Sequence, residues 1–428
     1  MANNFLTISM ITREALRVLE NELTFTKQIN RNYDDRFGVA GAKIGTVINI
    51  RKPPRYKGRT GQALAPEDAV ETSVPLALTT QRGVDLLFTS QDLTLNIDDF
   101  SKRFLKPAVA NVANGVDFDG TGLTLQCANM IGTPGTFPSA ALTYLQAGQR
   151  LNEEACPVDD RRLVMGPGFV PPIVDALKGL FQSSERIAEQ YDKGQMGIGL
   201  GFRWYMDQNM RTQVAGAGGA ATVSGANQTG NSLVTTGWPV STAIFNAGDI
   251  ITLPTVFAVN PVNKQQSTFL RQFVVTANVT SAASGTTTIP IAPAIIPPTG
   301  GTINLVLASN TPLSVPNTYT QSVTVGGGFQ NVTNSPANGA AITVVFTAGQ
   351  SSGQACAFHP EAFAMGCADL LLPGGVDMAS RVSDDQLGLS IRAVRAYDIN
   401  NDRFPTRLDI LYGFCVLYQE MACRIAGA

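Results

Sequence analysis

Residues 395–413 read RAYDINNDRFPTRLDILYG, and this stretch decides the fold. Within it, Asp398, Asn400 and Asp402 lie two residues apart, which is the spacing that begins a calcium-binding loop. Such a loop also needs glycine at its sixth position and glutamate at its twelfth, where this sequence has Arg403 and an aspartate. The segments on both sides have the composition of strands, and asparagine and aspartate favour turns because they tolerate left-handed dihedrals. The stretch therefore predicts a turn between two strands, and no metal site.

The bulk composition narrows the class of protein. A chain of 428 residues can bury sizeable cores, and its length predicts two or three domains. The formal net charge of −2 provides no general basic surface for nucleic acid. Apolar runs are short and interrupted by proline or glycine, so we expect no membrane span. The first residues lack the basic-then-apolar order of a signal peptide, which predicts synthesis in a cytoplasm.

Residue types that carry chemistry are sparse. None of the six cysteines forms a CxxC pair, so buried reduced thiols are expected rather than a zinc or disulfide framework. Because His359 is the single histidine, Ser-His-Asp and Cys-His catalysis are nearly excluded. Glu153 and Glu154 are adjacent in a predicted helix, where neighbouring side chains point apart, and we interpret them as a solvated face. We predict no catalytic residue, no metal, no cofactor and no enzymatic activity; a carboxylate-dependent hydrolase is the enzymatic alternative.

The N-terminal part reads as an arm followed by a long loop. In residues 1–42, apolar positions recur at helical spacing from Thr12, so this helix must bury its stripe against its own core or a partner. Residues 43–95 read as two extended segments around a mobile tip. Five basic residues cluster in the first segment: Arg51, Lys52, Arg55, Lys57 and Arg59. They indicate either a hairpin kept soluble by charge or a positive patch that meets an acidic partner.

Helical and extended patterns then alternate through residues 97–200. The predicted segments are, in order, a helix opened by Pro107, a turn at 117–122, a helix at 139–155, a buried strand at 161–167 and a helix at 168–181. In the second of these helices we place Leu142, Leu145 and Leu151 near one face.

The composition changes sharply at about residue 215. Between residues 215 and 355 there are only three charged residues, which are Asp249, Lys264 and Arg271. Short β-like runs recur, separated by turns rich in glycine, asparagine and proline, which is typical of a small all-β sandwich or barrel. Neither flank reads as a complete unit, so we interpret this block as an inserted domain.

Two C-terminal segments carry a resemblance to a known family. LPGGVD (372–377) and YDINNDRFP (397–405) resemble the end of the coat proteins of P22-like tailed phages. The resemblance implies an α+β chain with the HK97-type capsid fold. Its implied parts are an N-terminal arm (1–42), an extended loop (43–95), peripheral and axial domains (96–214 and 353–428) and an inserted immunoglobulin-like all-β domain (215–352).

The resemblance also implies a function. It predicts a major capsid protein that assembles as pentamers and hexamers into an icosahedral shell around double-stranded DNA. A scaffolding protein, a procapsid that expands, a portal and decoration or head-to-tail proteins belong to this picture, located in the virion and assembled in the host cytoplasm. The alternatives are an encapsulin-like cellular compartment shell and a phage tail or surface binding module.

Charge and position then suggest contact residues. For contacts between subunits we predict the five basic residues of the loop together with the three charged residues of the inserted block, Asp249, Lys264 and Arg271. For contact with a basic scaffold we predict the acidic residues of the arm, Glu14, Glu20 and Glu22.

Overall fold

The computed structural model describes residues 23–31, 47–89, 106–177, 197–283, 285–308, 318–384 and 389–428. Strands dominate these residues, with three α-helices: α1 (Lys106–Thr121), α2 (Ala141–Glu153) and α3 (Val170–Leu177). The predicted α+β class is confirmed. The amphipathic helix predicted from Thr12 lies outside the described residues.

The strands in this part of the chain are short, and most have fewer than nine residues. In chain order they are β1 (Val47–Lys52), β2 (Thr72–Ala77), β3 (Thr80–Thr89), β4 (Met130–Ile131), β5 (Arg162–Met165), β6 (Ile198–Gly199), β7 (Phe202–Met206), β8 (Thr212–Val214), β9 (Thr222–Val223), β10 (Gly230–Thr236), β11 (Ala243–Phe245), β12 (Ile250–Val259), β13 (Gln266–Val275), β14 (Val279–Thr280), β15 (Thr286–Ile295), β16 (Gly301–Ala308), β17 (Thr318–Val325), β18 (Thr343–Val344), β19 (Ser351–Phe358), β20 (Phe363–Ala368), β21 (Met378–Asp384), β22 (Leu389–Arg395), β23 (Arg403–Val416) and β24 (Ala422–Ala426).

A five-stranded antiparallel sheet forms around β23. One edge of β23 pairs with β3, and the other edge pairs first with β22 and then with β20, while β21 pairs with the far side of β22. Helix α1 packs against this sheet through Val109, Val112 and Val116, none of which is more than 1% exposed. The predicted helix opened by Pro107 and the two strands around residues 398–402 are therefore confirmed.

The turn that connects β22 to β23 is closed by its own aspartate. The Asp398 carboxylate accepts hydrogen bonds from the Asn400 N–H (3.1 Å) and from the Asn401 side-chain amide (2.8 Å). The backbone N–H of Asp398 also donates to the Arg403 carbonyl (2.8 Å), and Asp402 adopts a left-handed φ of 46°. These are the conformations that asparagine and aspartate tolerate best. The predicted turn is confirmed.

The segment at residues 23–31 is anchored on α1. The backbone N–H groups of Thr24 and Thr26 donate to the Asp117 carboxylate at 2.5 and 2.9 Å. Between them, Phe25 is fully buried, with ring centroids 5.5 Å from Phe358 and 5.8 Å from Phe363. The prediction of a turn at 117–122 is wrong, because α1 continues to its end at residue 121. The carboxylate that suggested a turn is held instead by these distant N–H groups.

A mixed seven-stranded sheet forms the second layer. Its order is β4-β24-β19-β5-β7-β6, with β8 also pairing with β19, and only the β4–β24 and β5–β7 pairs are parallel. Helix α2 packs against this sheet through Tyr144, Ala147 and Leu151, each fully buried. The prediction that its three leucines lie near one face is wrong in part, because Leu142 and Leu145 are 62% and 47% exposed whereas Leu151 is buried.

Apart from one 3-10 helical turn at Gly327–Phe329, the regular structure between residues 215 and 352 consists of strands in the described part of the chain. Six antiparallel strands run in the order β18-β12-β13-β15-β10-β9, accompanied by the two-stranded pairs β11–β14 and β16–β17. The core between them is apolar and includes Phe245, Phe273 and Ile289, each fully buried. We call this block the inserted region. Its immunoglobulin-like character and its boundaries stay predictions.

Candidate assembly site

The extended loop projects from a short two-stranded base. Strands β1 and β2 pair antiparallel from Val47–Ala77 to Lys52–Thr72. Pro53 and Pro54 follow directly, and proline cannot donate to a ladder, so the pairing ends there. Residues 56–69 are all exposed, including Leu64 at 84%. The two predicted extended segments are confirmed.

Two of the predicted basic residues fasten this loop to the C-terminal part of the same chain. The Lys52 ammonium donates to the Leu417 carbonyl and lies 4.8 Å from the centre of the Tyr418 ring. The Arg55 guanidinium forms an ion pair with Glu420, whose side chain is 19% exposed. The structure thus gives both cations a role within the chain. Their predicted role between subunits stays a prediction.

The charges at this base alter the ionisation of Glu420. Burial alone would raise the pKa of its carboxyl group. The positive charges of Arg55 and Lys52 outweigh that effect, so the pKa of Glu420 lies below its ordinary value. No sequence pattern predicts Glu420 as a loop contact, since 365 residues separate it from Arg55 and no local pattern connects them.

The other three basic residues remain on the loop surface. Arg51 pairs with Glu71 at 3.8 Å, with side chains 82% and 60% exposed, and such pairs contribute little to stability. Lys57 is exposed, and its backbone N–H donates to the Glu67 carboxylate (2.7 Å). Arg59 donates to a carbonyl within the tip. These side chains keep their charge accessible, and their predicted contact with a neighbouring subunit stays a prediction.

The inserted region sits on the core through a buried ion pair. Arg271 on β13 pairs with Glu154 at the end of α2, and their side chains are only 3% and 5% exposed. Beside them, the Gln272 side chain exchanges two hydrogen bonds with the backbone of Met130, at 2.7 and 3.0 Å. The interpretation of Glu154 as part of a solvated face is wrong, because the inserted region covers it. Glu153 stays at the surface, where its carboxylate accepts a hydrogen bond from the Thr268 hydroxyl (3.1 Å).

A second polar contact joins the inserted region to the seven-stranded sheet. Asp249 is fully buried, and three donors of the same chain satisfy it. They are the backbone N–H groups of Gly216 (3.0 Å) and Asn246 (2.9 Å) and the side-chain amide of Gln213 (2.7 Å). Close by, the fully buried Arg424 donates to the Gly248 carbonyl at 2.8 Å. Asp249 and Arg271 therefore hold the inserted region in place, and their predicted role between subunits stays a prediction.

The remaining candidates for chemistry are His359 and the cysteines. His359 begins a short helical turn, where its Nδ1 atom accepts a hydrogen bond from the Glu361 N–H (3.3 Å). Five of the six cysteines are buried, as predicted. Across the described ranges, no group of three or more His, Cys, Asp or Glu side chains could hold a metal ion. No helix in the described part of the chain is long and apolar enough to cross a membrane. Glu14, Glu20 and Glu22 lie outside the described residues.

The described residues thus form a loop with a fixed base and an exposed charged tip, beside an inserted region that buried polar groups hold on the core. A family model described as P22 coat protein (gene protein 5) matches residues 1–427. The chain belongs to the P22 coat protein family. It is a major capsid protein of a tailed phage, with a structural role in the shell of the virion.

Other comparisons add distant similarities. No curated protein sequence matches the chain. Among solved structures, the capsid of Ralstonia phage GP4 is 7% identical with a TM-score of 0.45, covering 94% of this chain and 88% of that one. A chain of Mycobacterium phage Che8 is 12% identical with a TM-score of 0.44, covering 94% and 90%. The family match, and not these distant similarities, identifies the chain. The HK97-type arrangement that the resemblance implies stays a prediction.

Proposed function

We propose that this capsid protein assembles as pentamers and hexamers into an icosahedral shell around double-stranded DNA. Assembly starts on a scaffolding protein in the host cytoplasm, yields a procapsid with a portal at one vertex, and continues with expansion of the shell. Decoration or head-to-tail proteins attach to the finished shell. The chain acts by forming contacts of defined geometry with other subunits, and it catalyses no reaction.

The match of the coat-protein model to almost the whole chain carries this proposal. The loop supports it, because residues 56–69 expose a long stretch of chain whose base is rigidly held. An extended segment of this kind adds contact area without enlarging the core. Many modest contacts, multiplied by closed symmetry, give a stable shell.

The charged groups suggest which surfaces meet. Arg51, Lys57 and Arg59 remain accessible on the loop and would face an acidic surface of a neighbouring subunit. In the arm, Glu14, Glu20 and Glu22 would meet a basic scaffold. Contacts of this kind are weak one by one and sensitive to salt, which suits a shell that has to change its packing during expansion.

The test is assembly of the full-length chain with and without a candidate scaffold. We expect a fast-sedimenting fraction that electron microscopy resolves as closed shells of uniform size. In particles from infected cells we expect double-stranded DNA; enclosed enzyme cargo without DNA would identify a cellular compartment shell instead. A chain that stays monomeric under every condition would refute the proposal.

A charge-reversal variant tests the loop surface. Replacing Arg51, Lys57 and Arg59 together by glutamate should abolish shells at low salt, where repulsion from the acidic surface of the neighbouring subunit is screened least. Lys106→Glu is the matched control, since this exposed lysine begins α1 outside the loop. Equal assembly of both variants would remove the proposed loop contact while leaving the capsid function intact.

A further inference from the structure

The inserted region touches the extended loop as well as the core. Strand β16 lies against β2, and the turn that follows β17 reaches residues 55–57 on the other limb of the loop. The seat of the inserted region on α2 and on the seven-stranded sheet therefore also determines where this turn meets the loop. The functions predicted for the extended loop and for the inserted region do not require this contact.

The closest approach is made at Gly328. A Cβ atom at this position would collide with the Arg55 carbonyl oxygen and would lie 3.2 Å from the Cα atom of Tyr56. The would-be Cβ of the neighbouring Gly327 lies 3.5 Å from the Lys57 Cδ atom, which is an ordinary van der Waals contact. Glycine is required at Gly328 because two backbones meet there, and not because of a left-handed dihedral.

A polar contact fixes the turn in this position. The Lys264 ammonium donates to the Gly328 carbonyl (2.5 Å) and to the Pro261 carbonyl (2.8 Å). Burial, together with the nearby positive charge of Arg55, lowers the pKa of Lys264 to about 8, while the negative charge of Glu67 opposes the shift. Lys264 is thus close enough to charged groups on both limbs of the loop to interact with them.

An apolar contact holds the returning limb. Val70 packs against a small cluster of the inserted region that contains Ile296, Val325 and Phe329. Val325 is 1% exposed and Ile296 is 4% exposed, so the centre of this cluster is buried. The loop is therefore held on its outgoing limb by backbone contact and on its returning limb by apolar packing.

We propose that Lys264, Val325 and Gly328 form a loop clamp: they are positioning residues that set the direction in which the extended loop leaves the subunit. Through this clamp the inserted region does more than stabilise the subunit. It prepares the loop for contact with a neighbouring subunit before assembly begins, which lowers the conformational entropy lost on docking. The claim that a fixed loop direction aids assembly rests on the proposed capsid function. The clamp itself is a property of the single chain.

The clamp is tested on the unassembled full-length chain by limited trypsin digestion, with mass spectrometry of cleavage after Arg55, Lys57 and Arg59. Gly328→Ala should speed this cleavage about tenfold, because a methyl group forced against backbone shifts local opening by about that factor. Gly326→Ala is the matched control in the same turn, since nothing lies within 4 Å of its would-be Cβ and its φ of −80° suits alanine.

A second variant keeps the test informative if Gly328→Ala does not fold. Lys264→Met removes the ammonium contact to the turn and should speed cleavage about threefold, without changing thermal unfolding of the inserted region as followed by Trp238 fluorescence. Cleavage of both variants at the rate of the Gly326→Ala control would overturn the clamp. Failure of the wild-type chain to form shells would overturn the capsid function instead, and the cleavage rates would still report on the clamp.

Discussion

The buried pair between Arg271 and Glu154 allows a quantitative prediction. Arg271→Met removes the guanidinium and keeps much of the side-chain volume, but it leaves the Glu154 carboxylate in a site where it is only 5% exposed. Removing one partner of a buried pair costs about 3–5 kcal/mol, because the remaining charge stays desolvated. We therefore expect Arg271→Met to lower the free energy of unfolding by about 3 kcal/mol at pH 7.

The double variant Arg271→Met/Glu154→Met is the decisive comparison. It removes both charges, and replacing a buried pair by apolar side chains is often neutral within about 1 kcal/mol. Urea unfolding followed by tryptophan fluorescence measures both variants, and the single variant should shift the midpoint down by about 1.5 M for a slope of about 2 kcal/mol/M. A double variant as unstable as the single one would refute the reasoning, since the loss would then come from packing.

The single variant also has a predicted pH dependence. Burial raises the pKa of Glu154 even with Arg271 present, and without Arg271 that pKa rises further. A raised carboxyl pKa means that ionisation costs the folded state stability, and this cost disappears as the pH falls towards the unfolded pKa of about 4.3. The deficit of Arg271→Met should therefore shrink between pH 7 and pH 5, while the double variant shows no such change.

Three further predictions concern other contacts. Phe25→Ala should lower the free energy of unfolding by about 3–5 kcal/mol in urea titration, since the ring is fully buried; a loss below about 1 kcal/mol would contradict the anchor. Glu420→Gln should speed hydrogen exchange at 47–77 at pH 7. Because the pKa of Glu420 is lowered, its contribution begins to fade only as the pH falls below about 4.5, and the variant should match wild type once the pH is below that lowered pKa. Leu145→Gln should change unfolding by less than about 0.5 kcal/mol, unlike Tyr144→Ala.

Sequence patterns predicted the elements whose causes are local. The turn at 398–402, the strands around it and the helix opened by Pro107 follow from the dihedral preferences of a few neighbouring residues. The error about the leucines of α2 has a different cause. The buried face of α2 is the one that carries Tyr144, whose ring lies 5.1 Å from that of Trp204. Leucine spacing alone could not show which face meets that ring.

The polar contacts that seat the loop and the inserted region could not be predicted, because their partners are far apart in sequence. Arg271 and Glu154 are separated by 117 residues, and Thr26 and Asp117 by 91. From sequence alone, isolated charged residues at these positions are expected to lie on the surface. The scarcity of charge in the inserted region was nevertheless informative: two of its three charged residues, Asp249 and Arg271, are buried and bonded within the chain.

The chain enters and leaves the inserted region at one place, because β8 pairs antiparallel with the start of β19, with Val214 opposite Ser351. A short turn joining these two residues would close the gap with little loop entropy, so the region has the layout of an exchangeable cassette. A foreign module grafted there would have to cover Glu154, Met130 and the other core groups that the inserted region buries. A graft without an equivalent of Gly328 would also remove the contact that sets the direction of the extended loop.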